Sequence, residues 1–138
     1  MIMIHEDKEL LLRDLCARLP YRIKCLVNYT FCNETTDYED VKSSTVDTLI
    51  TINQQTESYF FEWLSEWFDI DEFKPYLFPL SSMTPKQKAE LAMLVVGVED
   101  IFKAFLIEVE FYHKHHIDYR GLIPMGLAID ATNLGIYK

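Results

Sequence analysis

The apolar and polar positions in the N-terminal part of the chain predict one helix followed by two strands. Apolar residues recur at helical steps in residues 8–19, and we expect Asp7 to cap this helix and Pro20 to end it. In residues 21–29 apolar side chains alternate along the chain, and in residues 46–52 β-branched side chains are frequent. Both stretches are predicted to be strands, and we expect them to pair antiparallel.

The middle of the chain is predicted to contain a loop, an aromatic helix and a second loop that is fixed by prolines. Residues 32–40 are acidic and lack periodicity, which is typical of a loop. In residues 60–68 the aromatic residues keep helical spacing and acids fall opposite, so we predict an amphipathic helix whose aromatic face lies in the core. Pro75 and Pro79 forbid a regular helix in residues 74–83, where we predict an ordered apolar loop.

The C-terminal half contains the clearest local signal for the start of a helix. Thr84, Pro85 and Gln87 occupy the N-cap, first and third positions of a capping box. The helix that begins there runs to Gly97, and a last helix spans residues 99–115, either separately or as the continuation of one bent helix. The residues that the last helix is expected to bury are Phe102, Phe105, Leu106, Val109 and Tyr112.

These elements predict one globular α+β domain over residues 1–138. Helices dominate it, and its β structure is a short antiparallel unit. The segment after His116 is expected to be irregular because Gly121, Pro124 and Gly126 interrupt it. A chain of 138 residues with 49% hydrophobic content is long enough to bury roughly two thirds of its unfolded surface.

The charge of the chain narrows the classes of partner that it can bind. Twenty-two acids oppose thirteen bases, and the net charge of -9 repels nucleic-acid phosphates and anionic membrane surfaces. The longest uncharged apolar run, residues 91–98, is shorter than the roughly 20 residues that cross a bilayer. Because the N-terminus lacks a basic leader and the three cysteines form no paired motif, we expect a cytoplasmic protein. Its charge and its short apolar runs predict that it binds neither nucleic acid nor membrane.

Three blocks of sequence are similar to those of a known family. They are DLCARLPY at residues 14–21, KPYLFPLSSMT at residues 74–84 and HHIDYRGLIPMGLAID at residues 115–130. With these blocks the chain resembles a family of small uncharacterised proteins of gut Bacteroidetes and their phages or mobile elements. The resemblance implies a bacterial or phage cytoplasmic setting, and it implies no reaction, ligand or partner.

The segment HKHHIDYRG, residues 113–121, holds three of the four histidines and admits two interpretations. His113 and His116 lie one helical turn apart and could bind a metal together with Asp118, as in a metal-binding protein or metal-dependent hydrolase. Against a metallohydrolase, Ile117 stands where the acid of a common ligand order would be, and there is no HExxH motif. We prefer the other interpretation, a helix C-terminus whose dipole favours histidine and lysine, with no cofactor.

A run of acids that begins before the aromatic segment and ends after it carries the preferred functional hypothesis. Since no catalytic motif accompanies it, we expect a non-enzymatic interaction or regulatory protein that presents an acidic face to a basic protein partner, as an accessory of a phage or mobile element. Asp118 and Arg120 could add an ion pair or an anion-contacting loop. The candidate interaction residues are Glu62, Glu66, Asp69, Asp71, Glu72, Asp118 and Arg120.

Overall fold

A computed structural model describes residues 3–32 and 40–138, and the chain divides into an N-terminal unit, Met1–Pro75, and a C-terminal unit, Tyr76–Lys138. The α-helices are α1 (His5–Arg18), α2 (Pro85–Val95) and α3 (Ile101–Lys114). The strands are β1 (Lys24–Cys32), β2 (Asp40–Asn53), β3 (Ser58–Phe61), β4 (Trp67–Phe68), β5 (Phe73–Pro79), β6 (Ile117–Asp118) and β7 (Ile129–Asp130). Short 3-10 turns span Leu19–Tyr21, Ile70–Glu72 and Leu80–Ser82.

The N-terminal unit is built on an antiparallel sheet with the strand order β4-β3-β2-β1-β5. Its core forms on one face of this sheet, because alternate side chains of a strand point to the same side. Ile23, Cys25 and Val27 are buried in this way around β1, and Tyr59 and Phe61 of β3 are fully buried as well. The predicted antiparallel pairing of the first two strands is therefore confirmed.

Helix α1 confirms the first predicted helix, although its start differs from the prediction. The helix begins at His5 with Ile4 in the N-cap position, so the prediction that Asp7 caps it was wrong. It ends at Arg18, and the chain continues as a 3-10 turn through Pro20. Most of the loop predicted over residues 32–40 lies outside the described residues, and its first and last residues belong to β1 and β2.

The predicted aromatic helix over residues 60–68 was wrong, because these residues form β3, a turn and β4. In β3 the burial alternates with a period of two, and Phe61 packs edge-on against Phe73 at 5.0 Å between ring centroids. Aromatic side chains suit a half-buried sheet, and pairing with β2 fixes the strand. The predicted loop over residues 74–83 was also largely wrong. Its first part is β5, where Pro75 lies opposite Cys25.

The C-terminal unit joins two helices to short parallel strand pairs. The last part of β5 pairs with both β6 and β7, and the backbone N–H of Phe78 donates to the carbonyl of His116 at 2.8 Å. The capping box of Thr84 and Gln87 is confirmed, with donor-acceptor distances of 3.0 and 3.1 Å. A separate helix α3 follows α2, and between them Gly97 adopts a left-handed backbone with φ of 77°.

The fold-class prediction must be corrected in its balance of elements. The structure mixes α and β, but the prediction of a helix-dominated domain with a short β unit was wrong, since in the residues that the structure describes a sheet of seven strands is a major component. The strands that the prediction missed are β3, β4 and β5, in residues predicted as helix or loop, and β6 and β7, in the C-terminal segment that was predicted to be irregular. Residues 3–32 and 40–138 contain no helix that is both long enough and apolar enough to cross a membrane.

Candidate interaction site

The turn between β3 and β4 exposes two aromatic side chains that a folded core would normally bury. Trp63 is 72% exposed and Trp67 is 49% exposed, although tryptophan is usually highly buried. The indole of Trp67 rests against the ring of Phe60, with 5.2 Å between centroids. We call residues 62–67 the tryptophan turn. Exposed tryptophans are enriched among the residues that dominate binding energy at protein interfaces.

A buried carboxylate holds the tryptophan turn in place. Asp47 is only 6% exposed, and its side chain accepts hydrogen bonds from the backbone N–H groups of Trp63 at 3.0 and 3.1 Å and of Leu64 at 2.8 Å. The backbone N–H of Ser65 also donates to the carbonyl of Phe61 at 2.9 Å. Hydrogen bonds to a charged acceptor are stronger than neutral ones, so this turn is preorganised rather than adaptable.

Two of the predicted interaction residues belong to the tryptophan turn. Glu62 is its first residue and Glu66 its last before β4, and both are exposed. One carboxylate oxygen of Glu62 lies 2.6 Å from a guanidinium nitrogen of Arg22, in an ion pair whose side chains are 49% and 65% exposed. An exposed pair of this kind is worth at most about 1 kcal/mol, so an external cation can compete for Glu62.

The other predicted acids of this region have local roles in the structure. Asp69 and Glu72 form a capping box around the 3-10 turn Ile70–Glu72, and the backbone N–H of Asp69 donates to Glu72 at 2.9 Å. Asp71 lies 3.5 Å from the ammonium nitrogen of Lys8. The acids therefore follow a strand, a turn and a 3-10 segment instead of one face of a helix. Their role as an interaction surface stays a prediction.

The histidine-rich segment closes α3, as predicted, since His113 and Lys114 lie in the last turn of that helix. The Nε2 atom of His113 lies 2.8 Å from the hydroxyl of Tyr119, and the ring of His116 stacks on Tyr137 with 3.8 Å between centroids. Burial lowers the pKa of His115 below its ordinary value. In residues 3–32 and 40–138 no group of three or more histidine, cysteine, aspartate or glutamate side chains could hold a metal ion.

Asp118 and Arg120 take part in the turn that follows α3. The buried carboxylate of Asp118 accepts hydrogen bonds from the backbone N–H groups of Leu122 at 2.9 Å and Ile123 at 2.8 Å. The guanidinium of Arg120 lies over the ring of Tyr119, 5.1 Å from its centroid. In this arrangement Asp118 serves the backbone of its own turn, whereas a surface contact requires an exposed carboxylate.

The tryptophans are the residues that the sequence interpretation missed. Their spacing fits a helix face, which predicts that they lie in the core together with the phenylalanines beside them. A usable signal was that each tryptophan directly follows a glutamate, as Glu62-Trp63 and Glu66-Trp67. When the segment is a strand and a tight turn instead of a helix, a tryptophan and the glutamate before it can both lie at the surface.

Comparisons with known proteins identify no relative from which a function could be transferred, since no protein-family model, curated protein or solved structure matches the chain.

Proposed function

We propose that the chain is a non-enzymatic interaction protein that binds a basic partner through the tryptophan turn. The observation that carries the proposal is the exposure of Trp63 and Trp67 on a turn whose backbone N–H groups donate hydrogen bonds to the buried carboxylate of Asp47. An arginine or lysine of the partner would lie over an indole face, where the ring quadrupole attracts a cation. Glu62 and Glu66 would supply charge-assisted hydrogen bonds to the same group.

The distribution of charge along the sequence supports a basic partner. Residues 1–75 contain fifteen acids and seven bases, whereas residues 76–138 contain seven acids and six bases. Nearly all of the net charge of -9 therefore belongs to the part of the chain that carries the tryptophan turn. A field of one sign accelerates the approach of an oppositely charged partner and makes binding weaken as salt is added. The proposal includes a cytoplasmic setting and a role as a phage or mobile-element accessory, which rest on the sequence alone.

A fluorescence titration with an arginine-rich peptide tests the proposal directly. The chain has only two tryptophans and both lie in the tryptophan turn, so the emission reports this site alone. We expect saturable changes in emission whose affinity falls as salt is added. Trp63→Ala should weaken binding about tenfold, because one cation-π contact is lost. The variant Glu62→Gln with Glu66→Gln should also weaken binding.

Matched variants separate this site from general charge attraction. Glu6→Gln with Glu99→Gln removes the same two charges from exposed positions elsewhere and should bind the peptide as the wild type does. Arg22→Gly removes the internal cation that occupies Glu62, at a residue with φ of 56° that glycine adopts without strain, and should tighten binding. Arg13→Gln also removes one base, and it is the matched control for Arg22→Gly. Equal weakening by both glutamine pairs, or no response to Trp63→Ala, would refute the proposal.

A further inference from the structure

Helix α3 leaves a continuous apolar stripe uncovered along its N-terminal half. Ile101 and Phe102 are 82% and 81% exposed, and Phe105 and Leu106 are 59% and 65% exposed. We call these four residues the α3 stripe. They lie on one side of the helix because residues three and four positions apart are neighbours on its surface. Further along the helix the corresponding side is covered, since Tyr112 stacks on Tyr119 at 5.6 Å between ring centroids.

The size of the α3 stripe points to a partner of defined area. Its four side chains expose roughly 600 Å² of apolar surface, which is the upper end of the largest patch on a typical monomer. Two such stripes packed together could remove at most roughly 1,200 Å² from water, which reaches the lower bound of a specific and stable interface. A second copy of the same stripe is therefore a partner large enough to hold a dimer together.

The spacing of the α3 stripe is also self-complementary. Positions 101, 102, 105 and 106 are symmetric about the midpoint between residues 103 and 104, so a reversed copy of the helix presents the same pattern. A two-fold axis at this midpoint places Phe102 against Phe105 of the second copy and Ile101 against its Leu106. Dimers with two-fold symmetry use one patch on both subunits, and this pattern meets that requirement.

We propose that two copies of the chain associate through antiparallel packing of their α3 stripes. This interface lies in the C-terminal unit and does not depend on the tryptophan turn or on the function proposed for it. No charged side chain belongs to the stripe, so burial costs little desolvation. Paired phenylalanines at its centre add the edge-to-face or offset contacts that aromatic rings favour.

Sedimentation equilibrium of the full chain gives the first test. We expect a species of twice the 16.3 kDa chain mass that dissociates on dilution. Phe102→Lys and Phe105→Glu, each alone, should weaken dimerisation about tenfold or more, since each puts two charges against apolar surface. Mixing the two variants should restore part of the affinity, because the lysine introduced in one copy then meets the glutamate introduced in the other while the remaining phenylalanines still pair. Native mass spectrometry identifies this mixed dimer by its mass.

Leu134→Lys is the matched control, because it places a charge on an exposed apolar residue outside the helices and should leave dimerisation unchanged. Circular dichroism verifies that each variant is folded. A wild-type chain that stays monomeric at about 100 µM would overturn the proposal, because a biological dimer is populated well below that concentration. So would a wild type that grows into open-ended assemblies, single variants that dimerise as the wild type does, or a mixture no tighter than either variant alone.

Discussion

The N-terminal and C-terminal units use their helices in opposite ways. Helix α1 buries Leu11, Leu15 and even the ion pair of Asp14 and Arg18, so its core face is complete. Helix α2 buries no residue fully, and α3 buries only Phe111 and His113. The N-terminal unit carries most of the negative charge, whereas α2 and α3 of the C-terminal unit leave large apolar side chains exposed.

This difference shows that the two units suit different kinds of contact. An acidic surface with two exposed tryptophans fits a cationic partner, and the strength of that contact depends on salt. An uncharged apolar helix face fits another apolar face, and salt affects it little. Variants of either unit can test whether they differ in this way.

Removing one partner of the buried ion pair should produce the largest loss of stability. The Nε atom of Arg18 lies 2.7 Å from a carboxylate oxygen of Asp14, and both side chains are fully buried. Asp14→Ala leaves the guanidinium buried without its carboxylate, which should lower the free energy of unfolding by about 3–5 kcal/mol in urea denaturation. Asp14→Leu with Arg18→Met removes both charges and should unfold near the wild-type midpoint. A cost below about 1 kcal/mol for the single variant would contradict a complete α1 core.

Two phenylalanines of α3 should respond very differently to the same truncation. Phe111 is 5% exposed, and Phe111→Ala should lower the free energy of unfolding by about 3 kcal/mol. Phe102 is 81% exposed, and Phe102→Ala should cost below about 0.5 kcal/mol when the chain is dilute enough to be monomeric. Urea denaturation at low protein concentration measures both. Equal costs would mean that the α3 stripe is covered within the monomer.

The N-cap of α2 should make a moderate contribution, because this helix has little buried surface to stabilise it. Thr84→Ala removes the hydroxyl that accepts the backbone N–H of Gln87 and should cost about 1 kcal/mol. Hydrogen exchange of the Thr84→Ala variant should show that the amides of α2 lose protection before the other amides of the chain. Ser81→Ala, an exposed residue of the preceding 3-10 turn, is the control and should leave exchange unchanged. If Thr84→Ala and Ser81→Ala gave identical exchange, the N-cap would not be what stabilises this helix.

The smallest effect should come from His115, whose protonation at acid pH should lower the stability of the C-terminal unit slightly. Burial lowers the pKa of His115, so the unfolded chain takes up the proton at a higher pH than the folded chain. Stability from this group is therefore present above the ordinary histidine pKa and decreases as the pH falls below it. His115→Gln should make the melting temperature depend less on pH in this range. An unchanged slope in the His115 variant would contradict the assignment.

Local signals made part of this fold predictable. The capping box at Thr84 and the histidine-rich end of α3 involve residues within one or two helical turns, so the sequence is sufficient to specify them. The segment from Phe60 to Phe68 is different, because its nearly continuous apolar pattern fits both a helix and a strand. Pairing of β3 with β2, which a local pattern does not contain, decides between them.

The sequence predicts one part of the candidate site and not the other, because some of its features are local and others depend on contacts between distant residues. The charge run alone predicts Glu62 and Glu66 as interaction residues. The exposure of Trp63 follows from a turn that Asp47 holds, and Asp47 lies sixteen residues earlier in the chain. Asp47 belongs to β2, and the backbone N–H groups that it binds belong to the turn after β3. No rule of sequence spacing predicts a contact of this kind. The prediction that α3 buries Phe102, Phe105 and Leu106 was wrong, since helical periodicity identifies an apolar face and not what covers it.

Nuclear magnetic resonance of the two tryptophan indole N–H groups, during titration with an arginine-rich peptide at low salt, tests most directly whether the tryptophan turn binds a basic partner. We expect that both indole signals shift, that they saturate with the same dissociation constant, and that added salt reverses the shifts. Peptide binding that moves neither indole signal, or shifts that salt leaves unchanged, would contradict it.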